Sequence, residues 1–194
     1  MELDLINGTY SIIYADPPWT YNDKNTQGAA SNHYETMSLD DIKAMPISDI
    51  TKDDCVLFIW ATYPLLAEAL EVIDAWGFTY KSVAFTWIKL NKNGFGYFFG
   101  LGRWTRGNPE LCLIATKGKP QRASASVANL TIAPLTRHSA KPPIVRDKIV
   151  ELMGDLPRIE LFARNQTQGW GVWGDDAALT KPIKNLAIQG VLYE

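Results

Sequence analysis

Short runs of continuously apolar residues constrain the fold of this 194-residue chain more than any other feature. The runs are rich in β-branched and aromatic residues, and several lack the alternation of apolar and polar side chains that marks a strand with one wet face. They therefore predict strands buried on both faces of a sheet. The runs span residues 10–15, 55–61, 81–90, 111–116 and 158–162.

Helical patterns lie between these runs. Ser38 resembles the N-cap of a short helix that must end before Pro46, a second helix is predicted to open at Pro64, and a third is predicted from about Pro143 to Met153. The second helix is predicted to bury one face, formed by Leu66, Leu70, Ile73 and Trp76. Strands that alternate with helices predict an α/β fold with a mostly parallel sheet and helices on both faces. We expect a single domain over residues 1–194.

Three long segments, residues 20–36, 91–108 and 118–137, fit neither a strand nor a helix. Loops of this length in a compact domain are usually functional or disordered. Each begins directly after a predicted strand, and open α/β sheets bind ligands at the carboxyl ends of their strands. The three loops are therefore expected to surround one site.

Charge is unevenly distributed along the chain, although the net charge is only −2. Basic residues dominate from residue 103 to 148, while acidic residues dominate the first fifty-odd positions. This split favours one basic face on an acidic body, or simply solvated loops, and it excludes a uniformly basic protein that coats nucleic acid.

Cysteine usage and the N-terminus indicate a cytoplasmic protein. The two cysteines, Cys55 and Cys112, lie inside apolar runs and show no zinc spacing, so no metal site is expected. The first residues carry no signal-peptide pattern, and no apolar stretch approaches the ~18 residues of a membrane span.

An Asp-Pro-Pro-Trp segment, Asp16 to Trp19, directly follows the first predicted strand. Proline has no N–H, so the segment is predicted to present carbonyl and carboxylate acceptors without neighbouring donors, beside the flat ring of Trp19. Such acceptors match the exocyclic amine of a planar base, and the ring matches its face. Hydrogen bonds accepted from the amine would return its lone pair from the ring for attack. A proline-rich turn with a core tryptophan is the alternative.

Five ordered motifs now make a resemblance visible. Asp-Pro-Pro-Trp is followed by "HYETMS", "LCLIATKG", "RHSAKP" and "RIELFARNQTQGWGVWGDD", and together they resemble the MTA-seventy family of adenine-N6 methyltransferases over nearly the whole chain. The resemblance implies a Rossmann-like fold in the circularly permuted β-class order, with the catalytic motif ahead of the cofactor motif. It also implies S-adenosylmethionine as methyl donor.

The resemblance further implies roles for individual residues. Asp16, Pro17, Pro18 and Trp19 match the segment that grips the target amine, with Asp16 also near the donor. Tyr34 matches a residue of the substrate gate, and Lys117 matches a lysine at the rim between donor and target base. The implied donor-binding residues are His138, Ser139, Lys141, Glu160, Arg164, Asn165, Gln166, Thr167, Asp175 and Asp176.

Two departures from the family pattern concern the donor. Relatives carry an amide or acid pair, commonly Asn-Glu or Asn-Gln, where this chain has Asp175 and Asp176. Longer relatives also have an extra segment ahead of the first strand that contributes an acidic residue near the donor's adenine. Only fifteen residues precede Asp16 here, which leaves Glu2 and Asp4 as weak candidates.

Trp104 stands between Arg103 and Arg106, a combination of stacking surface and positive charge that nucleic-acid contacts use. A core tryptophan with solvated neighbours is the equal alternative. Together with the resemblance, the pattern predicts methyl transfer to the N6 amine of adenine in DNA. The same chemistry on RNA and a non-catalytic binding subunit are the alternatives. A homodimer would extend the contact surface, although nothing in the sequence indicates one.

Overall fold

The computed structural model describes residues 9–20, 36–102, 104–136 and 140–174, which form one seven-stranded sheet with three α-helices. The strands are β1 (Tyr10–Ala15), β2 (Thr51–Ala61), β3 (Thr79–Leu90), β4 (Glu110–Lys117), β5 (Leu130–Pro134), β6 (Arg158–Leu161) and β7 (Gly171–Trp173). The α-helices are α1 (Leu39–Lys43), α2 (Leu66–Ala75) and α3 (Ile144–Met153), and short 3₁₀ helices cover Ile47–Ile50 and Tyr63–Leu65. No helix in these parts of the chain is long and apolar enough to cross a membrane.

The strands are arranged in the order β5-β3-β4-β2-β1-β6-β7. Six of them run in the same direction, and β4 runs antiparallel to both of its neighbours, β2 and β3. The predicted mixed α/β fold with a mostly parallel sheet is therefore confirmed. The five predicted strands are present, and β2, β3 and β4 extend beyond their predicted bounds.

Two strands, β5 and β7, were not predicted from the sequence. β5 lies at one edge of the sheet, and Thr131 is its only buried residue. β7 has three residues and lies at the other edge. β5 carries little apolar signal because most of its residues are exposed or half-buried, and β7, although two of its three residues are buried, is too short for hydrophobic patterning to detect.

Helix α1 begins at its predicted cap, whereas α2 begins at Leu66, after the 3₁₀ turn that contains Pro64, and buries a different face from the predicted one. Ser38 Oγ accepts a hydrogen bond of 3.1 Å from the backbone N–H of Asp41, which confirms the N-cap of α1. Leu66 and Leu70 of α2 are exposed, contrary to the prediction. The buried face is shifted by one position and contains Leu65, Ala69, Val72, Ile73 and Trp76. Both faces share Ile73 and Trp76, so periodicity alone did not separate them.

Side chains on the two sides of β1 belong to different hydrophobic clusters. Ile13 and Ala15 belong to a cluster that includes the buried residues of α1 and α2. Ile12 and Tyr14 belong to a second cluster that includes the buried residues of α3. Because successive side chains of a strand point to opposite faces, both faces of β1 are covered.

The reversed direction of β4 corrects one prediction about the loops. Strands β1, β2 and β3 have their carboxyl ends at the same end of the sheet, and the first residue of β4 also lies there. Residues 118–137 follow β4 and therefore begin at the opposite end of the strands, away from the carboxyl ends of β1 and β3. The segment also contains β5, which returns parallel to β3.

Candidate active site

A polar pocket opens where β1 ends. It is lined by residues at the carboxyl ends of β1 and β2, by the first residue of β4, and by residues that follow β5 and β6. At this end of the sheet the parallel neighbours β1 and β6 connect in opposite directions across the sheet, β1 to β2 and β6 to β7. Ligands of open α/β sheets bind at such a switch point. The lining residues are Asp16, Pro17, Pro18, Trp19, Trp60, Ala61, Thr62, Glu110, Lys141 and Arg164.

The Asp-Pro-Pro-Trp segment lies at the carboxyl end of β1, as the sequence predicted, and forms one wall of this pocket. Its backbone carbonyls are less open than expected. The Trp19 N–H donates to the Pro17 carbonyl at 2.9 Å, and the Met37 N–H donates to the Pro18 carbonyl at 3.0 Å. The expectation that Pro17 has no neighbouring donor was wrong, because the chain turns back on itself within two residues. A carbonyl oxygen has two lone pairs, so the Pro17 oxygen keeps one for a ligand.

Two tryptophans fix the floor of the pocket. Trp19 is only 7% exposed, and its Nε1 donates to the backbone oxygen of Trp60 at 3.1 Å. Trp60 is buried, and its own Nε1 donates to the hydroxyl of Tyr14 at 2.7 Å. Trp19 thus belongs to the hydrophobic core and lines the pocket at the same time. Because the Trp19 ring is held by this hydrogen bond and by core packing, its orientation at the pocket is fixed.

Four charged side chains of alternating sign lie side by side at the pocket. Lys141 Nζ lies 2.8 Å from Asp16 Oδ1 and 3.1 Å from Glu110 Oε2. Glu110 Oε1 in turn lies 2.5 Å from Lys89 Nζ. Lys141 also lies 5.4 Å from the centre of the Trp60 ring, within cation–π distance.

Burial and these pairings shift the pKa values in different directions. Burial raises the pKa of Asp16 above its ordinary value, although Lys141 acts against this. Burial alone would also raise the pKa of Glu110, but Lys141 and Lys89 together outweigh it and lower that pKa to about 2. Burial would lower the pKa of Lys141, and the two carboxylates reverse this and raise it above its ordinary range. Lys141 is therefore a permanent cation between two acids.

The loop after β6 contributes Arg164 to the opposite wall of the pocket. It leaves the strand through Phe162, whose φ of 61° is rare for a residue with a side chain and costs of order 1–3 kcal/mol. The Phe162 ring packs edge-on against Trp173, and the Ala163 N–H donates to the Trp173 carbonyl at 2.9 Å. These contacts stabilise the strained turn, which directs the loop toward the pocket at the carboxyl ends of the strands.

Glu160 is engaged elsewhere. Both of its carboxylate oxygens accept from Arg146 of α3, at 2.6 Å and 2.5 Å, and the residue is buried. Arg146 also lies 5.6 Å from the centre of the Tyr14 ring. The structure therefore pairs Glu160 with α3 beneath the pocket and does not place it among the lining residues.

The other candidate residues fall into three groups. The prediction that Lys117 lies at the rim was wrong. Lys117 ends the antiparallel strand β4 opposite Cys55, at the end of the strands away from the pocket, and donates to Thr51 Oγ1 at 2.8 Å. Trp104 and Arg106 are exposed, and Asn165, Gln166 and Thr167 lie in the loop after Arg164 outside the pocket lining. Outside the described residues lie Tyr34, Arg103, His138, Ser139, Asp175 and Asp176.

Sequence reasoning missed four of the pocket residues, Trp60, Ala61, Thr62 and Glu110. One signal for Glu110 was present, because it and Asp147 are the only acids in the basic stretch from residue 103 to 148. Its place at the pocket depends on the direction of β4, which the apolar run did not reveal. Trp60 lies inside a continuously apolar run and carried no signal beyond burial.

The mostly parallel sheet, the Asp-Pro-Pro-Trp wall and the charged pocket at the switch point agree with an α/β methyltransferase, which is the class that the family comparison shows. The MT-A70 family model matches residues 10–176, and the chain belongs to this family, the one called MTA-seventy above.

Three relatives illustrate the range of the family. The chain is 38% identical over 185 residues to the Type II methyltransferase M.MunI of Mycoplasma sp, covering 85% of this chain and 76% of the relative. It is 28% identical to N(6)-adenosine-methyltransferase MT-A70-like of Arabidopsis thaliana and 27% identical to N(6)-adenine-specific methyltransferase METTL4 of Mus musculus. Each of these two matches covers 87% of this chain but only 24% and 37% of the respective relative.

Proposed function

We propose that this chain is a DNA methyltransferase that transfers a methyl group from S-adenosylmethionine to the N6 amine of adenine. The observation that carries the proposal is the position of Asp16 and Trp19 at the switch-point pocket, beside Lys141 and Arg164. The similarity to a Type II methyltransferase over 76% of its length supports DNA as the polymer. We further propose that the chain is one catalytic domain with the permuted, β-class motif order. The Asp-Pro-Pro-Trp segment after β1 precedes the loop after β6 along the chain, and both line the pocket, which supports that order.

The pocket fits the charged end of the donor. The amino-acid part of S-adenosylmethionine carries one carboxylate and one ammonium group, and the pocket offers cations at Lys141 and Arg164 beside carboxylates at Asp16 and Glu110. We assign the rest of the donor to the loop after β6 and, from the family resemblance, to residues 138–139 and 175–176. When bound, the donor supplies a methyl group on a sulfonium centre.

The protein's own task is positioning. A target adenine leaves the base stack at a cost of a few kcal/mol and enters beside Trp19. Asp16 accepts an N–H of the amine, which withdraws the nitrogen lone pair from the ring and aims it for attack. Lys141 favours the charged form of Asp16, which burial alone disfavours. Holding the two reactants in line supplies most of the acceleration. Once methylated, the amine nitrogen carries a positive charge and is acidic, so it releases its proton to solvent and no stronger base is required.

Replacement of the reactive carboxylate by its isosteric amide tests the proposal. Asp16→Asn keeps the shape of the segment but turns one acceptor into a donor, so transfer of radiolabelled methyl to adenine-containing DNA is expected to fall to background. Asp74→Asn on the exposed side of α2 is the matched control and is expected to retain activity. Transfer by Asp16→Asn at the control rate would refute the assigned role.

The choice of polymer is tested separately. Mass spectrometry of nucleosides after incubation with DNA or RNA is expected to show N6-methyladenine on DNA. Methylation of RNA alone would leave the pocket chemistry standing and overturn the substrate.

A further inference from the structure

The segment that joins β3 to β4 exposes several large apolar side chains. We call residues 91–107 the aromatic arm. Five of its side chains are at least half exposed: Phe95 at 79%, Tyr97 at 57%, Phe99 at 50%, Leu101 at 95% and Trp104 at 94%. A concentration of this kind marks an interaction surface, whereas single exposed apolar residues do not.

The arm is braced by hydrogen bonds. Asn108, buried at its root, accepts from the Lys89 N–H at 3.0 Å and donates to the Lys89 carbonyl at 2.8 Å and to the Phe98 carbonyl. Further out, the Gly100 N–H donates to the Gly107 carbonyl at 2.7 Å, and Arg106 donates to the Phe99 carbonyl at 2.7 Å. Because the backbone is already fixed, presenting the aromatic rings to a partner costs little additional ordering.

The charge of the arm indicates its partner. Residues 91–107 contain three basic residues, Lys92, Arg103 and Arg106, and no acidic residue, in a chain whose net charge is −2. A surface that binds another protein chain does not require positive charges without acidic partners. Aromatic rings interleaved with cations are the surface on which single-stranded nucleic acid binds, since every base has a π-face and every linkage carries a phosphate.

The arm is continuous with the pocket. It begins after Leu90, at the edge where β1 ends, and returns into Glu110, which lines the pocket. Lys89, clamped by Asn108 at the root of the arm, pairs with Glu110, which pairs with Lys141 beside Asp16. A strand of DNA lying on the arm therefore runs toward the site where an adenine must be unstacked.

We propose that the aromatic arm stacks on unpaired DNA bases next to the target adenine, so that the enzyme binds single-stranded or locally opened DNA through Trp104 and the neighbouring rings. The inference rests on the proposed function for its target adenine. The binding of the arm to bases does not need that adenine, and the two can be tested apart.

Trp104 makes the test direct. All seven tryptophans lie within the described residues, and the other six are at most 7% exposed, so quenching of the solvent-exposed tryptophan emission reports Trp104 alone. Oligothymidylate, which contains no adenine, is expected to quench this emission. Trp104→Leu is expected to weaken oligothymidylate binding, measured by fluorescence anisotropy, by about 5- to 150-fold.

Two further variants separate stacking from charge and from general surface effects. Tyr80→Leu removes an exposed aromatic ring on β3, outside the arm, and is expected to leave the affinity unchanged. Lys92→Gln is expected to reduce the slope of log affinity against log salt by about 0.7.

Each outcome decides the proposal. Equal oligothymidylate affinity for Trp104→Leu and wild type, or no binding by wild type, overturns it. A shift from dimer to monomer in Trp104→Leu on sedimentation, with DNA binding unchanged, would assign the arm to a second copy of the chain and also overturn it. Methyl transfer to adenine-containing DNA is measured in parallel. If wild type binds oligothymidylate but transfers no methyl group to adenine-containing DNA, the proposed function is refuted and the proposed role of the arm is not.

Discussion

Glu110→Gln removes one charge from the row formed by Lys89, Glu110, Lys141 and Asp16 while keeping the side-chain shape. In the folded protein, the two lysines lower the pKa of Glu110 from an ordinary 4.5 to about 2, against the opposing effect of burial. In the unfolded chain this pKa returns to its ordinary value. The unfolded state therefore binds more protons between about pH 5 and pH 2, and stability falls as the pH is lowered through that window.

The magnitude follows from the size of that shift. A pKa lowered from 4.5 to about 2 corresponds to about 3 kcal/mol, at about 1.4 kcal/mol for each pKa unit. Glu110 is only 15% exposed, so solvent screening removes little of this. Asp16 has a raised pKa and acts in the opposite sense, because its folded form keeps a proton at a higher pH than its unfolded form. The difference between wild type and Glu110→Gln cancels most of that contribution.

Urea unfolding followed by tryptophan fluorescence, repeated from pH 7 down to pH 3, measures this difference. Wild type is expected to lose most of that ~3 kcal/mol relative to Glu110→Gln over this range, so that the two stability curves converge toward low pH. Glu151→Gln, on the exposed side of α3, is the matched control and should follow wild type. Curves for wild type and Glu110→Gln that stay parallel down to pH 3 would refute the electrostatic account of this row.

Two other substitutions probe the walls of the pocket. Tyr14→Phe removes the acceptor of the buried Trp60 indole N–H, which should cost about 1–3 kcal/mol of unfolding free energy; an unchanged urea midpoint would show that this bond contributes nothing. Gly174→Ala places a Cβ against the backbone carbonyl of Ala163, which cannot move away as a side chain would, and should cost about 1–3 kcal/mol and weaken S-adenosylmethionine binding in calorimetry. Gly107→Ala, where a Cβ meets open space, serves as its control for stability, and equal losses in the two variants would contradict the clash.

The parts of the fold that sequence predicted are those encoded locally. The strand that ends at Asp16 is a continuously apolar run, and the two prolines after it stop the strand wherever the rest of the chain goes. The Ser38 cap likewise depends only on a residue three positions later. The short edge strands β5 and β7 were missed because their pairing depends on neighbours far away in the sequence, which apolar patterning does not register.

One long-range fact accounts for two of the errors at the site, those at Lys117 and Glu110. The run at residues 111–116 reads the same as a parallel or an antiparallel strand, and a parallel β4 would have brought Lys117 to the pocket edge and carried Glu110 away from it. The observed antiparallel pairing with β2 and β3 does the reverse. Lys117 was therefore included and Glu110 omitted for the same reason.

The direction of β4 also explains why an acid persists within a basic stretch. Reversal brings the first residue of the strand beside Lys89 of β3 and Lys141, two cations that are largely buried. Asp16 pairs with Lys141 and the carboxylate paired with Lys89 is Glu110, so loss of Glu110 would leave the Lys89 charge uncompensated, and an uncompensated buried charge costs several kcal/mol. Glu110 balances the row. Because the Lys89 backbone is also held by Asn108, the ion pairs of Lys89, Glu110 and Lys141 connect the root of the aromatic arm to Asp16.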